Sequence, residues 1–236
     1  MEGRKLFRET PKELRRRVYV MESRAQEFLE LLEEEDGAEL VADDVFRRMS
    51  DTMTPQGILT LSAMPSYELT DIQGDGSSPP LVLILEDVQD PGNVGTMIRT
   101  AEGAGVTGIL MSNGTADVFQ PKVIRSTMGS VFRVPFVRTE KLKDAVSALK
   151  KAGIRTFAAH LGGERSCFEE SYTGPSAFLI GNEGNGLSRE LTAMADTLVR
   201  IPMQGKVESL NASVAAALLM YEAERQRLIR SSKGHL

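Results

Sequence analysis

The sequence predicts an α/β fold built on a mainly parallel sheet. The run LVLILE at 81–86 is apolar at every position but the last, the pattern of a strand buried on both faces. Further strand-like runs follow at 108–111, 132–137, 154–159, 176–180 and 198–201. Helix-like stretches separate them at 93–104, 121–128, 140–152, 187–195 and 209–229. Strands and helices that alternate in this way give parallel pairing, with ligands beyond the carboxyl ends of the strands.

The first third has a different texture. Leu14, Val18, Met21, Phe28, Leu31 and Leu32 are spaced as on a polar helix, ahead of the acidic run ELLEEEDGAELVADD. QGILTL at 56–61 reads as a short strand, and DIQGDGSSPP at 71–80 as a linker, with a boundary near residue 78. The expected organisation is a small unit over 1–70, the linker, and the α/β domain over 81–236. Charge divides at the same place. Residues 1–78 carry 10 Lys/Arg against 17 Asp/Glu, and the rest carry 18 against 16. The overall net charge of -5 therefore says little about what the second part binds.

Composition excludes several classes. With 236 residues, 41% hydrophobic and 26% charged, the chain can bury a core. A single Cys, Cys167, excludes a disulfide framework, and with only His160 and His235 beside it a Cys/His zinc site is excluded too. No apolar run approaches the roughly 20 residues that cross a bilayer. MEGRKLFRETPKELRRRV, at the start, lacks the apolar core of a signal peptide. The expectation is a cytoplasmic protein with no membrane or metal partner.

Three segments carry chemistry. EDVQDPGNVGTMIRTAEGAG, 86–105, turns from the buried strand into a helix, with Pro91 and Gly92 in the turn, Asn93 as the expected cap and Arg99 two turns on. Its spacing is not GxGxxG, which counts against a nicotinamide site. LIGNEGNGLS, 179–188, is a glycine-rich loop between strand and helix, where the backbone can approach a ligand closely. It lacks the Gly-Lys-Ser/Thr of a P-loop, and Glu183 inside it suits a cationic or hydroxyl-rich ligand better than a phosphate. IPMQGKVESLNASVAAALLMYEAERQR, 201–227, holds a loop bounded by Pro202 and Gly205, a polar Glu208-Ser209-Asn211 cluster, and a helix that Ser209 or Asn211 would cap. Ala212, Ala215, Ala216 and Ala217 give that helix a small-residue face suited to close packing. Cys167 reads as inert, and Lys12 with Arg15, Arg16 and Arg17 as a solvated cluster.

In this order and spacing the segments resemble the three motifs of the SpoU (TrmH-like) RNA ribose 2′-O-methyltransferases of the SPOUT superfamily: NVGTMIRTAEGAG, GNEGNGLS and IPMQGKVESLNASVA. RSTMGSVFRVPF, 125–136, adds to the similarity, which covers 81–227. EGRKLFRE (2–9) and SDTMTPQGILTLSAMP (50–65) resemble parts of the family's L30e-like substrate-binding domain, in shortened form.

The resemblance implies a C-terminal trefoil knot, a homodimer through the knotted domain, and S-adenosylmethionine as cofactor. By resemblance the cofactor residues are Ala159, His160, Leu161, Gly181, Asn182, Glu183, Gly186, Ile201, Met203, Ser209 and Leu210. The catalytic set is Arg99, Asn93, Glu183, Ser209 and Asn211, and Arg99, Arg125, Arg133 and Lys206 would meet RNA. A 2′-hydroxyl acceptor means RNA, with ribosomal RNA favoured over transfer RNA. A catalytically idle, knotted RNA-binding or ribosome-assembly protein is the alternative, and the intact motif residues count against it.

Overall fold

The structure is a computed structural model that describes residues 1–33 and 36–233; Glu34 and Glu35 of the acidic run, and His235, lie outside the described residues. The first third forms α1 (Arg4–Glu9), β1 (Arg15–Met21), β2 (Ala38–Val41), α2 (Asp43–Met49) and β3 (Ile58–Ser62). These strands make a sheet in the order β2-β1-β3, with β1 parallel to β2 and antiparallel to β3. The helix expected from Leu14 onward is instead β1 followed by a 3-10 helix over Glu22–Phe28. Period two overrides the helical spacing here. Val18 and Val20 point inward onto Phe7, Phe28 and Ile58, while Arg17 and Tyr19 stand between them on the other face. A largely buried Arg15–Asp36 ion pair at 2.6 Å pins the start of β1.

The stretch read as a linker is anchored. Ile72 is fully buried and its backbone presses on Gly108, where a Cβ would lie 2.4 Å from the Ile72 Cα. At the far end Arg227 donates to the carbonyls of Pro79 (2.7 Å) and Pro80 (3.0 Å), and to those of Tyr172 (3.1 Å) and Gly174 (2.9 Å).

Residues 81–233 hold β4 (Leu81–Leu85), α3 (Pro91–Gly103), β5 (Gly108–Ser112), α4 (Pro121–Thr127), β6 (Phe136–Thr139), α5 (Leu142–Lys151), β7 (Arg155–Ala159), β8 (Arg165–Ser166), β9 (Ser176–Ile180), α6 (Arg189–Met194), β10 (Thr197–Arg200) and α7 (Ala212–Lys233). The seven strands are ordered β6-β5-β4-β9-β7-β10-β8, and every neighbouring pair is parallel. The strand expected over 132–137 starts only at Phe136, because a 3-10 turn occupies Ser130–Phe132 and Pro135 has no N–H to give. β8, with two residues, is too short to leave a pattern.

Both faces of the sheet are covered at its centre, which is why β4, β5 and β9 are buried at every position and read as mainly apolar runs. Leu81, Leu83, Leu85, Phe178 and Ile180 face a layer that includes α3, α4 and α7. Val82, Ile84, Ala177 and Leu179 face α5 and α6 through Leu142, Val146, Leu149 and Leu191. Phe157, Tyr172 and Phe178 stack edge-on in the first layer, with Tyr172 at 4.8 and 5.0 Å from the other two ring centres.

One feature of the topology positions everything at the sheet's carboxyl end. β7 and β8 are consecutive in sequence, yet β10 lies between them. Their connection steps over β10 at Gly163, where a Cβ would stand 2.9 Å from the Arg200 nitrogen, too close for any side chain. Bonds from His160 N–H to the Val199 carbonyl (3.0 Å) and from Cys167 N–H to the Arg200 carbonyl (2.9 Å) fasten the crossing on either side. Among the described residues no helix is long and apolar enough to cross a membrane.

The Arg227 cluster yields a prediction. Arg227→Ala leaves three half-buried carbonyls and the exposed one of Pro79 short of a charged donor, so urea denaturation is expected to show a loss of about 2 kcal/mol. An unchanged midpoint would mean that water replaces the guanidinium without cost.

Candidate functional site

Helix α3 starts two residues earlier than its sequence suggests. Pro91 occupies the first position, where its missing N–H is harmless. Asp90, not Asn93, is the cap: its carboxylate accepts the Asn93 N–H at 2.8 Å. That frees the Asn93 side chain. Its Nδ2 donates to Glu183 at 2.9 Å, and its Oδ1 accepts from Asn211 Nδ2 at 3.0 Å.

Glu183 also accepts the backbone N–H groups of Gln89 and Asp90, each at 3.1 Å. Asn211 in turn caps α7, its Oδ1 taking the Ser213 N–H at 2.9 Å and the Ser213 hydroxyl at 2.6 Å. Ser209 lies upstream and has no part in the cap. Three segments far apart in sequence thus meet along one line of hydrogen bonds. Burial pushes the Glu183 carboxyl up, but the Asn93 amide and the two backbone donors outweigh it and hold the group below the usual carboxylate range.

The loop that carries Glu183 folds on itself. Asn182 Oδ1 accepts from the N–H groups of Gly184 (2.9 Å) and Asn185 (3.1 Å), while Nδ2 donates to the Asp87 carbonyl at 2.8 Å. Gly181 is required because a Cβ there would fall 2.1 Å from the Gly186 carbonyl carbon. Ser188 closes the loop as cap of α6, and its N–H donates to Glu86 at 2.7 Å.

A cleft of about 480 Å³ opens beside this loop, at the carboxyl ends of the neighbouring strands β7, β9 and β10. Ala159, His160, Leu161, Gly181, Asn182, Glu183, Gly186, Ile201, Met203, Ser209 and Leu210 all line it. Sequence reasoning missed Val199, Arg200, Glu208 and Ala215, which line it as well. The signal for Arg200 was its place at the end of a strand. Glu208 was visible only as part of a polar cluster. Among the described residues, the backbone N–H groups of Met203, Glu208, Ser209 and Leu210, all cleft-lining residues, donate no hydrogen bond within the chain. The His160 ring turns back on its own loop, Nδ1 accepting the Gly162 N–H at 3.0 Å.

The basic residues divide. Arg99 is exposed on α3, outside the cleft lining, and makes no hydrogen bond or ion pair among the described residues. Arg125 and Lys206 are likewise exposed. Arg133 is not open to RNA in the same way, since its guanidinium is taken by Glu9 and Glu102. Cys167 is buried, burial pushes its thiol up, and its carbonyl accepts the Tyr172 hydroxyl at 2.8 Å, all of which suit a structural residue.

The model of the SpoU rRNA Methylase family matches residues 80–221. A similar curated protein is the 23S rRNA (guanosine(2553)-2'-O)-methyltransferase RlmP of Bacillus subtilis (strain 168), 37% identical over 182 residues, which are 77% of this chain and 70% of that protein. Another is the 23S rRNA (guanosine-2'-O-)-methyltransferase RlmB of Neisseria meningitidis serogroup B, 30% identical across 92% of this chain and 89% of its own. Among solved structures, the AdoMet-bound rRNA methyltransferase from Sinorhizobium meliloti superimposes with a TM-score of 0.82 at 30% identity, covering 95% of this chain and 86% of that one.

The Glu183 junction gives a pH prediction. The group's pKa is depressed by folding, so its stabilisation is present above the unfolded value of roughly 4.3 and is lost as pH falls through the lower folded value. Thermal melts of the parent and Glu183→Gln should differ by a constant amount at neutral pH, and the gap should close on acidification below the carboxylate range. A gap independent of pH would show that the charge is irrelevant.

Proposed function

This chain belongs to the SpoU rRNA methylase family, and we propose that it transfers a methyl group from S-adenosylmethionine to a ribose 2′-hydroxyl of ribosomal RNA. The observation that carries this reading is the Glu183–Asn93–Asn211 junction at the lip of a small-molecule cleft.

The cleft fits the cofactor. Its volume lies in the range of small-ligand pockets. Glu183 and Glu208 offer negative charge to a cationic ligand, and the backbone amides of Met203, Glu208, Ser209 and Leu210 offer donors to an adenosine. When bound, S-adenosylmethionine supplies a methyl on a sulfonium, a centre that carries its own leaving group. The work left to the protein is alignment, worth roughly 7–11 kcal/mol when it is complete. Ile201, Met203 and Leu210 wall the cleft on the side of β10, and the 181–186 loop walls it on the side of β9. Glu183 locks that loop to the start of α3, and through α3 to Arg99.

Arg99 sits six residues beyond Asn93, about 9 Å along the helix. A guanidinium stays protonated at neutral pH, so its role is to clamp an RNA phosphate and stabilise charge developing on the hydroxyl oxygen, not to accept its proton. Arg125 and Lys206 extend the cationic surface.

Further parts of the reading concern assembly. The insertion of β10 under the β7–β8 connection supports a trefoil knot. Val214, Leu218 and Tyr221 of α7, with Phe168 beside them, leave an exposed apolar face (48, 39, 52 and 55% exposed), which supports a homodimer through this domain. Thr96 of α3 borders that face, so a partner there would approach the helix that carries Arg99. The three-stranded unit takes the role of an L30e-like RNA-binding domain, with exposed cations at Arg16 and Arg48. An RNA substrate of this kind supports a cytoplasmic location.

The test is incorporation of labelled methyl into unmodified 23S rRNA and, in parallel, transfer RNA. Label is expected in the ribosomal RNA, and Arg99→Ala should cut it by about 100-fold while calorimetry shows cofactor binding intact. Label confined to transfer RNA, or turnover kept in Arg99→Ala, would overturn the substrate class or the role of Arg99 respectively. For the dimer, sedimentation equilibrium should find the parent as a dimer and Leu218→Arg as a monomer; a monomeric parent removes that part of the reading.

A further inference from the structure

RSTMGSVFRVPF, the fourth stretch singled out in the sequence, contributes nothing to the cleft. It serves α3 from the other side. Arg133 lies between Glu102, near the end of α3, and Glu9, at the end of α1. Toward Glu102 the contact is a two-pronged fork: Nε bonds Oε1, and Nη2 bonds Oε2 at 3.1 Å. The 3-10 turn over Ser130–Phe132 and the buried Val131 and Val134 hold Arg133 in place.

Glu102 is three residues beyond Arg99, hence on the same face of α3. An Arg and a Glu at that spacing attract one another on a helix surface. Nevertheless Arg99 has no partner among the described residues, while Glu102 is fully engaged by Arg133. The planar fork of a guanidinium on a carboxylate is the stronger and more specific contact, so Arg133 wins Glu102 and Arg99 stays free.

We propose that Arg133 is a positioning residue for Arg99: by occupying Glu102 it keeps that carboxylate off Arg99 and leaves the Arg99 guanidinium open to the RNA backbone. The proposal rests on Arg99 acting in transfer. It assigns Arg133 a task other than direct RNA contact, and it explains why an acidic residue is tolerated one turn from a cation that must meet phosphate.

The experiment is single-turnover methyl transfer to transcribed 23S rRNA at saturating cofactor, with the full chain. Arg133→Ala releases Glu102 onto Arg99 and should slow transfer about two-fold, the scale of one exposed helix pair. Glu102→Gln alone should stay near the parental rate. The double variant Arg133→Ala/Glu102→Gln should return to that rate, because the competing carboxylate is gone. A merely structural Arg133 would show no such rescue. Arg133→Gln, with and without Glu102→Gln, repeats the comparison should Arg133→Ala fold poorly. A double variant as slow as Arg133→Ala, or an Arg133→Ala at the parental rate, overturns the inference. Arg99→Ala in the same series separates the two levels, since parental turnover there defeats the role of Arg99 whatever Arg133 does.

Discussion

Glu183 is held by donors from the turn ahead of α3 and from the first turn of that helix, and it faces a cleft built from three other strands. The carboxylate stays ionised because two backbone N–H groups and an amide are aimed at it. Those donors are in place because Asp90 caps the helix and releases Asn93. Asn93 then reaches Asn211, so the start of α7 is set by the same contact that sets the glycine loop. Remove the charge and the two lips of the cleft lose their common reference. Electrostatic stabilisation depends on groups that need not move during reaction, and this junction makes the lips of the cleft a fixed frame.

The parallel sheet was legible because burial on both faces favours apolar residues at nearly every position of its central strands. Leu81 to Leu85 and Ser176 to Ile180 could hardly be read as anything else. The first unit was less legible for the opposite reason. Among the described residues its sheet has three strands, so β1 mixes arginines with two inward valines, and Phe28, Leu31 and Leu32, at and beyond the end of the following 3-10 helix, fall at helical spacing. The insertion of β10 between β7 and β8 leaves no trace in periodicity, because it is a fact about the path between strands and not about their faces.

The site was legible at the level of segments and not of contacts. Every residue assigned to the cofactor lines one cleft, since the motif loops follow directly from strands whose carboxyl ends are adjacent. What spacing could not tell was which polar side chain would cap which helix. Asp90 and Asn93 are equally good caps in isolation, and only the presence of Glu183, 90 residues on from Asn93, decides between them. Arg133 and Arg99 look alike in sequence. Their difference comes from the carboxylates of Glu9 and Glu102, one of them 124 residues away from its partner.

The place of β10 bears on the order in which this protein becomes itself during synthesis. Among the described residues β8 pairs with β10 alone, and β7 is left with an open edge until β10 arrives. A chain emerging from the ribosome therefore carries its glycine loop and its α3 junction residues before it has the last wall of the cleft, which Ile201, Met203 and Leu210 supply. A ligand that needs that wall binds only chains whose final strand is seated, and by mass action it draws the population toward them. Occupancy of the cleft is in this way coupled to completion of the sheet.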